Sequence, residues 1–219
     1  MDILITGTST GIGRAIAVKF LEKGHTVWGF DIKESSISSK DYTHYILDVR
    51  DVMSYPADLK PHVIINNAGV QNSGDDIDIN LKGVIQITEH YAFCNGNIRS
   101  VVNIGSASAH TGSEFPEYAA SKGGLIAYTK NVANRLAPEA ICNSIDPGGV
   151  LTELNRPVME DRNLWEQIMD LTPLKRWATP EEIADWVYFV AVENRFMTGQ
   201  NLLIDGGEAG KTKFVWPEE

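Results

Sequence analysis

The sequence predicts a doubly wound α/β fold, in which one sheet of about seven parallel strands carries helices on both faces. Short apolar runs alternate with amphipathic stretches along the chain, as they do when each strand is followed by a crossover helix. The 219 residues suit one compact domain with a substantial buried core. No repeat, low-complexity segment or linker interrupts them, so we expect residues 1–219 to form a single domain.

The predicted strands are short runs rich in Val, Ile and aromatic residues, bounded by turn-forming residues. They lie at residues 3–5, 27–30, 44–47, 63–65, 101–104, 141–145 and 202–204. The helical period of apolar residues predicts helices at 11–23, 78–93 and 117–136, and a further helix that begins at Thr179. In the first of these, Ile12, Ile16 and Phe20 share one face.

Charge and composition exclude several classes of function. The formal net charge of −10 disfavours binding to nucleic acid or to an anionic membrane surface. No apolar run reaches the ~18–20 residues that cross a bilayer, and the N-terminal MDILITG lacks the features of a signal peptide. Cys94 and Cys142 form no disulfide or metal pattern and the histidines are scattered. We therefore expect a cytoplasmic protein with two buried thiols and no metal.

A glycine-rich turn joins the first predicted strand to the first helix, with three glycines spaced G-x-x-x-G-x-G. Glycines let the backbone approach a pyrophosphate, and the helix N-terminus offers the anion N–H groups and a partial positive charge. Isolated glycines form a flexible turn, but these stand between strand and helix at the start of a doubly wound pattern. The turn predicts a Rossmann-type dinucleotide site formed by Gly7, Thr10, Gly11, Ile12 and Gly13.

Asp31 closes the second predicted strand and indicates which dinucleotide binds. A carboxylate at this point accepts hydrogen bonds from the adenosine ribose hydroxyls and repels the additional phosphate of NADP. Lys33 is the nearest basic residue, and a solvated aspartate in a turn is the alternative interpretation. Asp31 therefore predicts NAD(H), with NADP(H) less favoured.

Tyr118 and Lys122 form Y-x-x-x-K on the predicted helix 117–136, where a spacing of four places both on one face. A free phenol has a pKa near ~10, too high for a base at neutral pH, and a nearby ammonium lowers it. The pair alone is a weak signal, since chance surface pairs are common. Ser106 strengthens it because it follows the fifth strand, at the carboxyl edge where ligands bind in open α/β sheets. Ser108 is the competing serine.

Asn80 lies within the predicted helix 78–93, although asparagine is a poor helix former. It could be a solvent-facing or helix-bending residue. Alternatively, its carbonyl or amide could hold a water beside Lys122.

In this order, these motifs resemble the short-chain dehydrogenase/reductase family, in the branch with T-G-x-x-x-G-I-G and Y-x-x-x-K. The similarity runs from residue 1 to about residue 207 and includes 66–69 (NNAG), Pro147-Gly148 and 205–207 (DGG). The resemblance implies that Tyr118 is the acid/base and that Ser106 orients the substrate oxygen. It implies that Lys122 lowers the tyrosine pKa and binds the nicotinamide ribose, while Asn80 holds a proton-relay water.

The resemblance also implies further cofactor contacts and an assembly. Besides Tyr118 and Lys122, the implied contacts are Asp48 and Val49 around the adenine, Asn67, Ala68, Gly69, Pro147 and Gly148, with Val150 and Thr152 at the carboxamide. Family members pair the tyrosine-bearing helix with its symmetry mate, so we expect a homo-oligomer, most often a tetramer. One departure is the short segment between Gly69 and Asn80, where a helix common in the family must be nearly absent.

Residues 151–175 are apolar and bracketed by prolines, and they follow the sixth strand. We interpret them as a lid over nicotinamide and substrate, with an ordinary surface helix as the alternative. The sequence thus predicts an oxidoreductase that moves a hydride between NAD(H) and a small, largely apolar secondary alcohol or ketone. A non-catalytic dinucleotide sensor is the other hypothesis, but such proteins typically lose the tyrosine or the lysine. Epimerases and dehydratases of the extended branch usually have a different glycine spacing.

Overall fold

In the described part of the chain, parallel strands form one sheet in the order β3-β2-β1-β4-β5-β6-β7. The strands are β1 (Asp2–Thr6), β2 (Thr26–Asp31), β3 (Tyr42–Ile46), β4 (Val63–Asn66), β5 (Ser100–Ile104), β6 (Ile141–Pro147) and β7 (Asn201–Ile204). The computed structural model describes residues 1–94, 96–113 and 115–210, so residues 211–219 of the expected domain lie outside it. The sheet confirms the predicted fold class.

Helices cover both faces of the sheet. They are α1 (Gly11–Glu22), α2 (Val84–Ala92), α3 (Ser108–Thr111), α4 (Pro116–Leu136), α5 (Arg156–Glu160), α6 (Arg162–Leu171) and α7 (Pro180–Tyr188). Alternate residues of β1 enter opposite cores, because successive strand side chains point to opposite faces. Ile3 and Ile5 pack with α1 and α7, whereas Leu4 packs with α2 and α4. None of the described helices is long and apolar enough to cross a membrane.

The predicted helix 78–93 begins with a π-helical stretch, Asp78–Gly83, and becomes α-helical only in α2. Gly83 lies where a side chain would meet Val49, so the helix packs closely against the segment after β3 at this point. Residues 67–75 contain no helix, as the short segment before Asn80 predicts. The expectation of two buried thiols is wrong, since Cys142 is buried but Cys94 is exposed beyond the end of α2.

Candidate active site

The carboxyl ends of the central strands bring the predicted site residues to one edge of the sheet. Thr6 ends β1, Asn67 follows β4, Ser106 follows β5 and Pro147 ends β6. In parallel sheets this edge is where ligands bind, at the point where the strand order reverses. Here the reversal lies between β1 and β4.

The glycine turn forms a close-fitting cradle at the start of α1. Gly7 and Gly11 have positive φ angles of 74° and 53°, and a Cβ on Gly13 would overlap the carbonyl oxygen of Gly7. Thr10, the N-cap of α1, makes no side-chain capping bond, and the first turn contains no acidic residue. The first-turn N–H groups therefore suit an external anion, and the cradle fits a pyrophosphate.

Asn67 and Thr6 tie this cradle to β4. The Asn67 Nδ2 donates to the carbonyl oxygens of Thr6 at 3.0 Å and Gly7 at 3.1 Å. In return, the Thr6 hydroxyl oxygen accepts from the backbone N–H groups of Asn67 at 3.0 Å and Ala68 at 2.9 Å. Ile12 packs against the core of its face, which anchors the helix start. Asn67 and Ala68, which the family resemblance implies as cofactor contacts, thus lie beside the glycine turn.

Asp31 lies at the end of β2 and holds the two loops around it. Its Oδ2 accepts from the Ser9 N–H at 2.9 Å and its Oδ1 accepts from the Lys33 N–H at 2.9 Å. Each carboxylate oxygen has a further lone pair for a ribose hydroxyl. Asp31 is half-buried and Lys33 is exposed, so the carboxylate dominates this corner of the site.

The remaining predicted cofactor residues line the same edge in different ways. The Asp48 carboxylate pairs with Arg50 at 2.7 Å, and this guanidinium lowers the pKa of Asp48. Val49 is buried against Gly83. The Gly148 N–H donates to Ile204 at 3.0 Å, directly after Pro147.

Val150 and Thr152 follow on the next stretch of chain. Val150 is buried and forms a β-bridge with Ala178. A Cβ on Gly11 would contact the Thr152 methyl at 3.4 Å. Thr152 therefore lies next to the glycine turn in the tertiary structure, although the two are far apart in the sequence.

Lys122 is a buried ammonium at the centre of the candidate site. Its Nζ donates to the carbonyl oxygen of Ile104 at 2.9 Å and lies 5.8 Å from the centroid of the Tyr118 ring. Burial lowers the pKa of Lys122 to about 8, while the charges of Asp146 and Asp76 oppose that shift. The pair predicted from Y-x-x-x-K is therefore assembled, with the tyrosine half-buried beside a cation.

Ser108, the alternative candidate in the sequence analysis, orients the Ser106 side chain. The Ser106 Oγ accepts from the Ser108 N–H at 3.2 Å and from the Ser108 hydroxyl at 3.0 Å. With both bonds accepted, the Ser106 proton is left to donate to another oxygen. Ser108 thus supports Ser106, and the choice of Ser106 as the substrate-facing serine stays a prediction.

Asn80 is fully buried and its side chain is fully engaged. Its Nδ2 donates to the Val70 carbonyl at 2.8 Å and to the Ser121 hydroxyl at 3.1 Å, while its Oδ1 accepts from the Val70 N–H at 2.8 Å. A Cβ on Gly69 would lie 3.1 Å from this Oδ1 and 3.6 Å from the Lys122 Nζ. The amide thus holds the loop at Val70 against α4. Its role in holding a relay water stays a prediction.

Sequence reasoning missed two buried carboxylates, Asp76 and Asp146. Asp76 accepts from the backbone N–H groups of Asn72 at 2.9 Å and Ser73 at 2.8 Å, which shapes the loop before Asn80. Asp146 pairs with the His110 Nε2 at 2.6 Å. The only sequence signal for Asp146 was an acidic residue between the predicted strand 141–145 and Pro147-Gly148.

The segment predicted as a lid contains a short 3-10 turn, α5 and α6. Leu154, Leu164 and Leu171 on it are exposed, and Trp165 meets Trp177 edge-on at 4.9 Å between ring centroids. The segment is therefore held by this aromatic contact and by buried Thr172, while several of its leucines are exposed. In the described residues, no group of three His, Cys, Asp or Glu side chains is placed to hold a metal ion.

Comparison with known proteins agrees with this geometry. Residues 7–208 match a protein family described as enoyl-(acyl carrier protein) reductase. A 3-oxoacyl-[acyl-carrier-protein] reductase of Thermotoga maritima is 32% identical, over 93% of this chain and 96% of that protein.

Solved structures share the fold and differ in the cofactor they hold. A 4-hydroxyisoleucine dehydrogenase complexed with NADH has a TM-score of 0.89 and 28% identity, covering 96% of this chain and 99% of that one. A putative 2-deoxy-D-gluconate 3-dehydrogenase of Agrobacterium tumefaciens with bound NADP has a TM-score of 0.87 and 28% identity, covering 96% of each chain.

Proposed function

Because the chain belongs to the short-chain dehydrogenase/reductase family, we propose that it transfers a hydride between NAD(H) and a secondary alcohol or ketone, with Tyr118 as the general acid/base. The observation that carries this proposal is the buried Lys122 ammonium, whose Nζ lies 5.8 Å from the Tyr118 ring. A cation at this position stabilises a phenolate and so prepares the tyrosine to accept a proton.

In the direction of alcohol oxidation, the Ser106 hydroxyl donates a hydrogen bond to the substrate oxygen and holds it near Tyr118. The Tyr118 phenolate takes the hydroxyl proton as the carbon–oxygen double bond forms. A dinucleotide held by the glycine turn and Lys122 would supply the acceptor for the hydride of the same carbon. Lys122 stays protonated throughout and balances the phenolate charge. In the reverse direction Tyr118 returns its proton to the oxygen of the reduced substrate.

The Tyr118→Phe variant tests this role directly, because it removes the hydroxyl and keeps the ring. We expect the turnover rate to fall ~100-fold or more, the usual scale for a lost general acid/base, while NADH still binds. Tyr128→Phe is a matched control on the same helix, where the hydroxyl contacts Glu89 at 3.2 Å. Full activity of Tyr118→Phe would show that another group moves the proton.

Asp31 supports NAD(H) as the preferred cofactor, since its carboxylate occupies the corner where NADP would bring a phosphate. We expect kcat/KM to favour NADH over NADPH at least ten-fold, about 1.4 kcal/mol. Asp31→Ala should reduce the ratio of kcat/KM with NADH to kcat/KM with NADPH. Asp41 is an exposed aspartate directly before β3, and Asp41→Ala should leave that ratio unchanged. Equal turnover of the wild-type enzyme with both cofactors would contradict this preference.

The substrate we propose is small and largely apolar, with one reactive oxygen. The exposed leucines of 151–175 support this, because a lid that closes brings such side chains over the bound molecule. The Thermotoga maritima relative is named for a 3-oxoacyl substrate, which also has an apolar body and a ketone. A panel of alcohols and ketones, assayed by NADH absorbance, would identify the substrate. NADH binding without turnover of any member would favour a dinucleotide sensor.

We also propose that copies of this chain pair through α4 and form a homo-oligomer, which we expect to be a tetramer. Ala120 and Ala127 are exposed on this helix, and a Cβ on Gly123 would meet no atom within 4 Å. A face of small residues lets a second helix approach closely, which supports pairing between copies of this chain.

A further inference from the structure

Asp146 carries a buried carboxylate oxygen that lacks a hydrogen bond. The residue is fully buried near the end of β6. Its Oδ2 accepts from His110 at 2.6 Å, whereas Oδ1 has no hydrogen-bond partner in the described chain. Leaving such a group unsatisfied is costly, so native proteins rarely keep one without a role.

The unpaired oxygen lies directly beneath the candidate catalytic residues. A Cβ on Gly105 would overlap Asp146 Oδ1, so glycine at position 105 makes room for this carboxylate. Gly105 stands between Ile104, whose carbonyl accepts from the Lys122 ammonium, and Ser106. The Asp146 carboxylate therefore lies next to residues 104–106, which carry Ser106 and accept the hydrogen bond from Lys122. Gly105 and His110 lie in the segment after β5, and Asp146 lies in the neighbouring strand β6.

We propose that Asp146, held by His110, is a positioning residue of the active site whose negative charge keeps the buried Lys122 ammonium protonated. This inference rests on the proposed function, in which Lys122 must be charged to balance the Tyr118 phenolate. A buried ammonium without an anion nearby loses its proton, because burial disfavours the charged form.

The charged groups around Lys122 come from three elements. Asp146 on β6 and Asp76 before the π-helical turn both favour its charged form. The Asp76 carboxylate accepts from the Ser73 N–H at 2.8 Å and the Ser73 hydroxyl at 3.2 Å, so it is fixed in the loop before the π-helical turn. Tyr118 faces Lys122 from its own helix.

His110 favours the ionised form of Asp146 and so opposes the effect of burial. Burial raises the pKa of Asp146, while the hydrogen bond from His110 and the charges of His110 and Lys122 oppose that rise. The His110 side chain is 29% exposed, so its outer edge reaches solvent.

Asp146→Asn tests the proposal, because asparagine fits the same space beside Gly105 without the charge. Two pH profiles are measured in wild type and variant: the rate of alcohol oxidation, and NADH affinity by fluorescence. We expect the alkaline limb of both profiles to move to lower pH by about one pH unit in the variant, the scale of removing one nearby opposite charge. KM for the alcohol should change less than kcat.

His110→Gln is the second variant, and it decides the question if Asp146→Asn does not fold. It should shift both profiles in the same direction by a smaller amount. Asp2→Asn is the matched control, since it removes the carboxylate of another His–Asp pair, 3.5 Å from His62, at the opposite end of the sheet. This control should leave both profiles unchanged.

Profiles of Asp146→Asn and His110→Gln that superimpose on the wild type would overturn the proposal. Failure of the proposed function has a different signature, namely retained activity in Tyr118→Phe or no NADH-linked turnover at all. In that case the NADH-affinity profile alone still decides whether Asp146 acts on Lys122.

Discussion

Replacing Lys122 with methionine should make the ligand-free protein more stable while abolishing catalysis. Burial lowers the pKa of Lys122 from 10.5 to about 8, and each pKa unit is worth 1.36 kcal/mol. Keeping this lysine charged in the folded state at pH 7 therefore costs about 3 kcal/mol. The methionine variant avoids that cost but leaves the Ile104 carbonyl without its donor, a loss of about 1–3 kcal/mol. We expect Lys122→Met to be more stable by about 1 kcal/mol at pH 7.

The pH dependence makes this prediction specific. The folded-state pKa lies below the unfolded one, so between about pH 8 and 10.5 the unfolded chain binds more protons. The stability of the wild type therefore rises over this range, whereas Lys122→Met gains nothing from this site. Urea unfolding at pH 7 and pH 10 measures the free energy of unfolding of wild type and Lys122→Met. Lys130→Met is the control, because Lys130 is exposed on the same helix. If the stability difference between wild type and Lys122→Met is the same at both pH values, the pKa of Lys122 is not lowered by folding and the argument fails.

Three further predictions concern the cradle, the lid and the assembly. Gly13→Ala should lower the free energy of unfolding by about 1–3 kcal/mol, since the new methyl overlaps the Gly7 carbonyl, whereas Gly210→Ala, whose methyl would meet only the Gly207 carbonyl oxygen at 3.8 Å, should not. Backbone amides of residues 151–171 should exchange hydrogen more slowly when NAD and an alcohol bind together, and equal rates with and without ligands would rule out the lid. Light scattering at micromolar concentration should give an oligomeric mass, and a monomeric mass would refute pairing through α4.

Local patterns in the sequence were enough to predict the sheet, the glycine turn and the helix that bears Tyr118 and Lys122. Each of these depends on residues close together in the chain. Strand periodicity places Ile3 and Ile5 on one face, and a spacing of four places Tyr118 above Lys122. The shortness of the segment between Gly69 and Asn80 likewise predicted that a helix common in the family is nearly absent there. Ten residues cannot hold both a loop and a helix of normal length.

Distances between remote segments were decided only by the tertiary structure. The sequence could not show that the Asn80 amide holds Val70 and Ser121, because these contacts depend on how the π-helical turn packs against α4. Likewise, nothing local connects His110 with Asp146, which are 36 residues apart. Burial of Asp146 beneath Gly105 is a property of neighbouring strands β5 and β6. The types of residue needed for the chemistry were thus determined by the sequence, while the charges that act on Lys122 were determined by packing, since burial and the distance between charges set their strength.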